Sequence, residues 1–378
     1  MKLVFIHDHK FIKINDSYYS TGKFSEKTLN NYKIPPIKKI EFISRIQKNN
    51  YSEKNLVKAS SNHIEIQPIT FLEKKVDFLL KRKQIETFID EHITGNEIVI
   101  IRLPSEIGYI AMHHLKKRNI DFGIELVGDP WEALWYHGSI LGKFMAVINK
   151  YKTKHYIYNA KNVMYVTKKY LQEKYPTNFK SYTASNVFIN NINSDYKVKT
   201  NQIYKIGLIG SLDTEYKGID TALKSLSLID ENFIFEIVGN GPQEKWLKKI
   251  KKYNLEGKVV LKGAVQGGDP INEWLKELDL YIQPSYTEGL PRALIEAMSN
   301  GIPCLGSNAG GIPELLDSKF IHKVKDYKTF SYQLEEVLHN TRLRKEMSEI
   351  NLKRAENYLS GNIQRQREAF IKSIYEEK

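Results

Sequence analysis

Residues 279–316 read DLYIQPSYTEGLPRALIEAMSNGIPCLGSNAGGIPELL, and this stretch decides the fold. Residues 280–282 are a short apolar run that suits a buried strand, and 283–289 form a turn-rich loop. Pro291 opens a helix, since its fixed φ suits the first helical position. Asn300-Gly301 ends that helix as a left-handed cap. A second strand is expected over 302–305, followed by Asn308-Ala309-Gly310-Gly311 and another helix opening near Pro313. The pattern is a β-α-β unit with two helix N-termini at one end of a parallel sheet, where open α/β sheets take their ligands. Glu288 lies in the loop and Glu296 eight residues on, inside the helix. At a rise of about 1.5 Å per residue, two such carboxylates are spread along a ligand rather than gathered on one metal ion.

Working outward, 378 residues are enough for two domains with full cores. The single cysteine excludes a disulfide framework and fits a reducing compartment. Cys304 sits in an apolar run and reads as a small core residue. The opening Met1-Lys2-Leu3-Val4-Phe5-Ile6 is too short for a signal peptide, and no apolar run reaches the length of a membrane span, so a cytoplasmic chain is expected. Residues 1–200 carry 32 Lys and Arg against 19 Asp and Glu, whereas 201–378 carry 25 of each, so the first half holds the whole net charge of +13. That asymmetry suits an anionic membrane surface or an acidic acceptor, or serves solubility alone. The basic residues are scattered and no nucleic-acid motif appears, so nucleic acid is not expected.

Strand patterns at 2–6, 40–46, 64–69, 98–103, 122–127 and 163–167 alternate with helical patterns at 76–92, 106–118 and 168–175. The second half repeats the scheme, with strands at 204–209, 233–238, 259–261 and 280–282. Such alternation argues for doubly wound sheets. The polar segment 195–202 reads as a linker dividing a domain of residues 1–198 from one of 199–361. The tail from 329 is helical, broken at Gly361, with a last helix over 362–375. Residues 131–158, WEALWYHGSILGKFMAVINKYKTKHYIY, interleave Trp131, Trp135, Tyr136, Phe144 and Tyr151 with Lys143, Lys150, Lys152 and Lys154. A stretch of this kind either lies on an anionic bilayer or packs as a core helix with a lysine face in water.

Glu288-Gly289-Leu290-Pro291, Glu296-Ala297-Met298, Gly301-Ile302-Pro303 and Gly310-Gly311-Ile312-Pro313-Glu314 together resemble the E-x7-E signature of the retaining GT-B glycosyltransferases of family 4. The resemblance implies a GT-B fold: two α/β, Rossmann-like domains facing across a cleft, with the nucleotide-sugar donor on the second and the final helix (362–378) returning to the first. Glu288 would hold sugar hydroxyls, Glu296 the ribose, and the amides around Gly289, Leu290, Pro291 and Arg292 the diphosphate between them. Lys217, before Gly218, matches the family's diphosphate-binding lysine. Ser211 stands where the family's arginine usually does, leaving more of the leaving-group charge to Lys217, with help from Arg292. Asn240, in the Gly239-Asn240-Gly241-Pro242 exit, and Gly263 fall where relatives hold the donor and its base. Gly22 is the candidate for backbone approach to the phosphates, or else belongs to a plain hairpin turn. At Gly128-Asp129-Pro130 the family's histidine is replaced by Gly128. Asp129 then either accepts a hydrogen bond from an acceptor or sugar hydroxyl or caps the following helix.

The expected activity is retaining transfer of a hexose or N-acetylhexosamine from a UDP-sugar to a lipid-linked saccharide, a polyprenyl-diphosphate carrier among the options, in surface-polysaccharide synthesis. The catalytic candidates are Glu288, Lys217 and Asp129. No metal and no cofactor is expected, since Lys217 and the backbone amides would stabilise the diphosphate. A GT-B sugar phosphorylase and a non-catalytic glycan-binding or partner subunit are the alternatives. The place of work would be the cytoplasm, peripherally on the inner face of the membrane.

Overall fold

The computed structural model describes residues 1–21, 24–48, 56–74, 76–135, 140–193 and 203–376. The chain divides into two compact units: residues 1–131, 144–184 and 364–378 form one, residues 132–143 and 185–363 the other. Residues 132–135, 140–143 and 185–193, expected in the first domain, group with the second.

The first unit contains β1 (Lys2–Ile14), β2 (Ser17–Ser20), β3 (Lys39–Ile46), β4 (Val57–Lys58), β5 (Ile64–Pro68), β6 (Ile98–Leu103), β7 (Gly123–Leu126), β8 (Asn162–Tyr165) and β9 (Ser181–Thr183). Its parallel sheet runs β5-β3-β1-β6-β7-β8-β9, while β2 pairs antiparallel with the far half of β1 and β4 with β2. Every residue of β6, IVIIRL, is buried, as a central parallel strand covered on both faces must be. Its one charge, Arg102, is met by Glu125 at 2.9 Å, with the Tyr32 hydroxyl donating to the same carboxylate. The helix Ser360–Glu376 supplies buried Phe370, Ile371 and Ile374. Phe370 and Ile374 press on Gly123 so closely that a Cβ there would stand 2.4 Å from the Ile374 side chain.

The second unit contains β10 (Tyr204–Ile209), β11 (Phe233–Val238), β12 (Val259–Gly263), β13 (Leu280–Gln283), β14 (Cys304–Ser307) and β15 (Ile321–His322), all parallel, in the order β12-β11-β10-β13-β14-β15. In both sheets the order reverses beside the first strand of the unit, between β1 and β6 and between β10 and β13. Those are the positions at which strand ends splay apart and leave a crevice.

Several expectations need correction. The helical pattern at 76–92 is two helices, Asp77–Leu80 and Arg82–His92, with Lys81 leaving helical geometry between them. The strand begun at Lys2 runs on past a bulge between Ile6 and Lys10 and turns back at Asn15, which takes a positive φ of 51°. The strand expected at 302–305 is Cys304–Ser307, and Pro313 opens a single 3-10 turn, Ile312–Glu314, instead of an α-helix. Gly361 lies inside the last helix; the break falls at the 3-10 turn Glu356–Tyr358 before it. Among the described residues no helix is long and apolar enough to cross a membrane.

Candidate functional site at the β10–β13 switch point

Two loops meet at the carboxyl ends of β10 and β13. After β10 the chain runs through Gly210 and Ser211 to Lys217 and Gly218, where the helix Ile219–Leu226 begins. Gly218 has a φ of 73°, and a Cβ on it would stand 1.8 Å from the Pro284 carbonyl oxygen, so only glycine lets the two loops close. Lys217 is thereby set with its stem over Gly210 and its ammonium 2.8 Å from Glu288 Oε1. Burial works against that ammonium, but the Glu288 carboxylate outweighs it and holds the lysine pKa above its usual value. Lys217 therefore stays charged at every pH at which the fold is of interest.

Glu288 Oε1 also accepts from Ser285 Oγ at 2.7 Å and Gln283 Nε2 at 3.0 Å. The Tyr281 hydroxyl donates to Gln283 Oε1 at 2.8 Å, which fixes which way that amide points. Tyr281, Gln283 and Ser285 are buried. Three donors thus converge on one oxygen of the carboxylate, Oε1. On the other side, the Gly311 amide donates to the Gly289 carbonyl at 2.8 Å, tying the loop after β14 to the loop that carries Glu288.

The next helix, Arg292–Ser299, starts from an extended Pro291, and no side chain caps its first amides. The corresponding helix of the first unit, Glu106–Lys117, differs. There Asp8 accepts from the Ile107 amide at 2.9 Å and from the Glu106 amide, and Ser105 Oγ accepts from the Gly108 amide at 2.9 Å. The Asp8 carboxyl group already fills the first unit's helix start, whereas among the described residues no side chain caps the second unit's.

The structure brings some of the expected site residues together and gives others different partners. Lys217, Glu288, Gly289, Leu290 and Pro291 share the β10–β13 edge. Arg292 is exposed and pairs with Glu296 at 2.9 Å, one helical turn on, so each neutralises the other in this structure. Ser211 Oγ donates to Asp213 at 2.9 Å and to the Asn240 carbonyl at 3.3 Å. Gly239 packs on the Gly210 carbonyl and accepts no Cβ there, so the exits of β10 and β11 are knitted side by side. Gly263 closes β12 with a φ of 70° and open space where a Cβ would be. Asp129 is buried: it accepts from the Trp131 amide at 2.9 Å and from the Tyr175 hydroxyl, and it pairs with Lys174. That is the helix-capping alternative, with both carboxylate oxygens engaged. Gly22 lies outside the described residues. Among the described residues no group of three His, Cys, Asp or Glu side chains is arranged to hold a metal ion.

Sequence reading missed Tyr281, Gln283 and Ser285. A glutamine ending the otherwise apolar run LYIQ was the available signal, because a buried amide needs partners.

Comparison with known proteins agrees with this architecture. The family described as Glycosyl transferases group 1 matches residues 193–354. Along nearly its whole length the chain is similar to Protein CapJ of Staphylococcus aureus, at 37 % identity over 375 residues, 97 % of this chain and 94 % of CapJ. A shorter match, 36 % over 114 residues and 28 % of each chain, is to the amylovoran biosynthesis glycosyltransferase AmsK of Erwinia amylovora. Among solved structures, Anabaena HepE in complex with UDP shares the fold over 99 % of this chain and 100 % of its own, with a TM-score of 0.69 at 15 % identity. The chain belongs to the glycosyl transferases group 1 family and is a glycosyltransferase of the GT-B fold.

Proposed function

We propose that this glycosyltransferase moves a hexose or N-acetylhexosamine from a UDP-sugar, with retention at the anomeric carbon, onto a lipid-linked saccharide during surface-polysaccharide synthesis. The observation that carries the reading is the Lys217–Glu288 pair, bridging the exits of β10 and β13 beside a helix start with no side-chain cap. Glu288 Oε2 accepts from sugar hydroxyls. The remaining Lys217 N–H groups and the first amides of the Arg292–Ser299 helix stabilise charge on the departing diphosphate. Glu296 takes the ribose once Arg292 turns from it to the phosphates. On this reading no divalent metal is required. A UDP donor is supported by the likeness to HepE, a structure solved with UDP. The polysaccharide setting is supported by AmsK, named for amylovoran biosynthesis. Retention rests on the family resemblance. A membrane-borne acceptor, met at the inner face of the cell membrane, is supported by the basic first half and by the exposed Phe144, Tyr151 and Tyr158 on the lysine-bearing helix Ile140–Tyr158.

The test pairs binding with turnover. A ligand at 100 times its Kd stabilises the fold by about 2.7 kcal/mol, so UDP should raise Tm well above the effect of GDP or ADP. Glu288→Gln keeps the volume but removes the anion and should lower kcat by about a hundredfold or more. Turnover at the wild-type rate in Glu288→Gln would refute the role given to that carboxylate. Sugar release that requires inorganic phosphate would favour a phosphorylase instead.

A further inference from the structure

The first unit carries an open groove of about 410 Å³ to which no residue of the donor site contributes. Its volume falls within the range of about 300–1,000 Å³ that small-ligand sites occupy. The walls are the turn between β1 and β2, the segment that follows β4, and the edge strand β5. Backbone bonds tie these pieces together. The Tyr18 amide donates to Ser60 Oγ at 2.8 Å, and the Tyr18 carbonyl accepts from the Ala59 amide at 2.8 Å. Ser61 and Ile64 exchange amide-to-carbonyl bonds at 3.0 and 3.1 Å. The groove is therefore formed before any ligand enters, which lowers the cost of ordering it on binding.

What lines the groove narrows the ligand. Tyr18 supplies an aromatic ring, and Asp16, Lys58, Asn62, Glu65 and Gln67 supply donors and acceptors in mixture. Among the described residues the side chains of Asp16, Lys58 and Asn62 have no hydrogen-bond or ion-pair partner. Glu65 already pairs with Lys39 at 2.7 Å, and Gln67 reaches only Glu65, at 3.5 Å. Two carboxylates against one ammonium in the lining give no surplus of positive charge for a phosphate. Ile64 and Ile66 are buried in the unit's core, so an apolar side chain finds no floor there. A ligand that suits this set offers many hydroxyls, exchanging donors and acceptors freely, and a flat face of C–H groups for a tyrosine ring. A neutral sugar has both.

We propose that this groove is a saccharide subsite separate from the donor site, where Tyr18 packs on a sugar ring and Asn62 and Gln67 read its hydroxyls. Its purpose rests on the proposed saccharide acceptor, of which it holds a ring other than the one that reacts; its test does not. The full chain is titrated with maltotetraose and with chitotetraose, neutral probes that differ in linkage and N-acetylation. Binding is read by saturation-transfer NMR with and without saturating UDP, and the Tm shift given by UDP is measured alongside. Wild type should bind at least one tetrasaccharide, with a Kd that UDP leaves unchanged. Tyr18→Leu should weaken that binding by about tenfold or more, and Tyr18→Phe, which keeps the ring, by less. Asn62→Ala with Gln67→Ala, at the groove's rim and without a core contact to lose, should also weaken it about tenfold. None of these variants should alter the UDP shift. Wild type that binds neither tetrasaccharide would overturn the proposal. So would binding that UDP displaces, or binding equally tight in wild type, Tyr18→Leu and the double variant, since the sugar then sits elsewhere. Tetrasaccharide binding that depends on Tyr18, in a protein with no UDP shift, would leave the groove standing and remove the donor reading.

Discussion

At the scale of single residues, the carboxylate of Glu288 is asymmetric. Lys217, Ser285 and Gln283 all donate to Oε1, and Tyr281 holds the Gln283 amide in the orientation that permits it. Such convergence orients the group before a ligand arrives, which is how a site avoids reorganising during reaction. On the proposed role of Glu288, Gln283 and Ser285 position its carboxylate for sugar recognition, and UDP without its sugar should not sense them. Losing one hydrogen bond to a charged group costs about 1.5–3 kcal/mol. Ser285→Ala and Gln283→Leu should therefore leave the UDP-induced Tm shift in place. The extra stabilisation given by a UDP-sugar over UDP should disappear, and kcat should fall by about tenfold or more. Ser285→Thr, which keeps the hydroxyl, should retain most of both. Equal losses for UDP and UDP-sugar would show only a structural role. Of this arrangement, Glu288 and Lys217 were legible through the family resemblance, but not as partners. They are 71 residues apart, and only the strand order brings their loops together.

At the scale of elements, the site depends on loops packed closer than a side chain allows. Gly218 meets Pro284 and Gly310 meets Glu288: a Cβ on Gly310 would stand 1.8 Å from the Glu288 carbonyl oxygen, at a φ of 54°. Gly257 is a natural control, with a φ of 77° and nothing within 4 Å of its virtual Cβ. Backbone strain alone should make Gly257→Ala cost about 1 kcal/mol. Gly310→Ala adds a backbone collision, and should cost at least about 2 kcal/mol more and displace Glu288. Urea unfolding of both variants measures the difference, and the UDP-sugar shift should be lost only in Gly310→Ala. Similar costs for the two would show that the loop relaxes freely. The glycines were visible in sequence as turn signals; which of them are close approaches was not, because that depends on a loop from another strand. The same limit explains the helix expected at Pro313. Proline and glycine marked a start correctly, but Leu315 and Leu316 are drawn into the core after one turn.

For the whole molecule, the chain builds one plan twice. Each unit reverses its strand order beside its first strand; the alternation of strands with helices pointed to doubly wound sheets but not to that order. The two copies differ in what fills the helix start at the reversal: Asp8 in the first, no capping side chain in the second. Sequence alone could not distinguish them, because Asp8 lies 99 residues from the amide it caps. The first unit is also completed from far along the chain, since Phe370, Ile371 and Ile374 are almost fully buried and Arg367 lies over the Tyr32 ring at 4.8 Å. The end of the chain is thus part of the first unit's core, and damage there should register as lost stability and not as lost donor chemistry. Phe370→Ala removes a buried ring from against Gly123 and Tyr182, a change that costs about 3–5 kcal/mol in well-packed cores. Urea unfolding should show a loss of that size, while the variant, at a temperature where it is folded, still binds UDP. A variant as stable as wild type would mean that the last helix merely rests on the first unit, and the packing argument would fail with it.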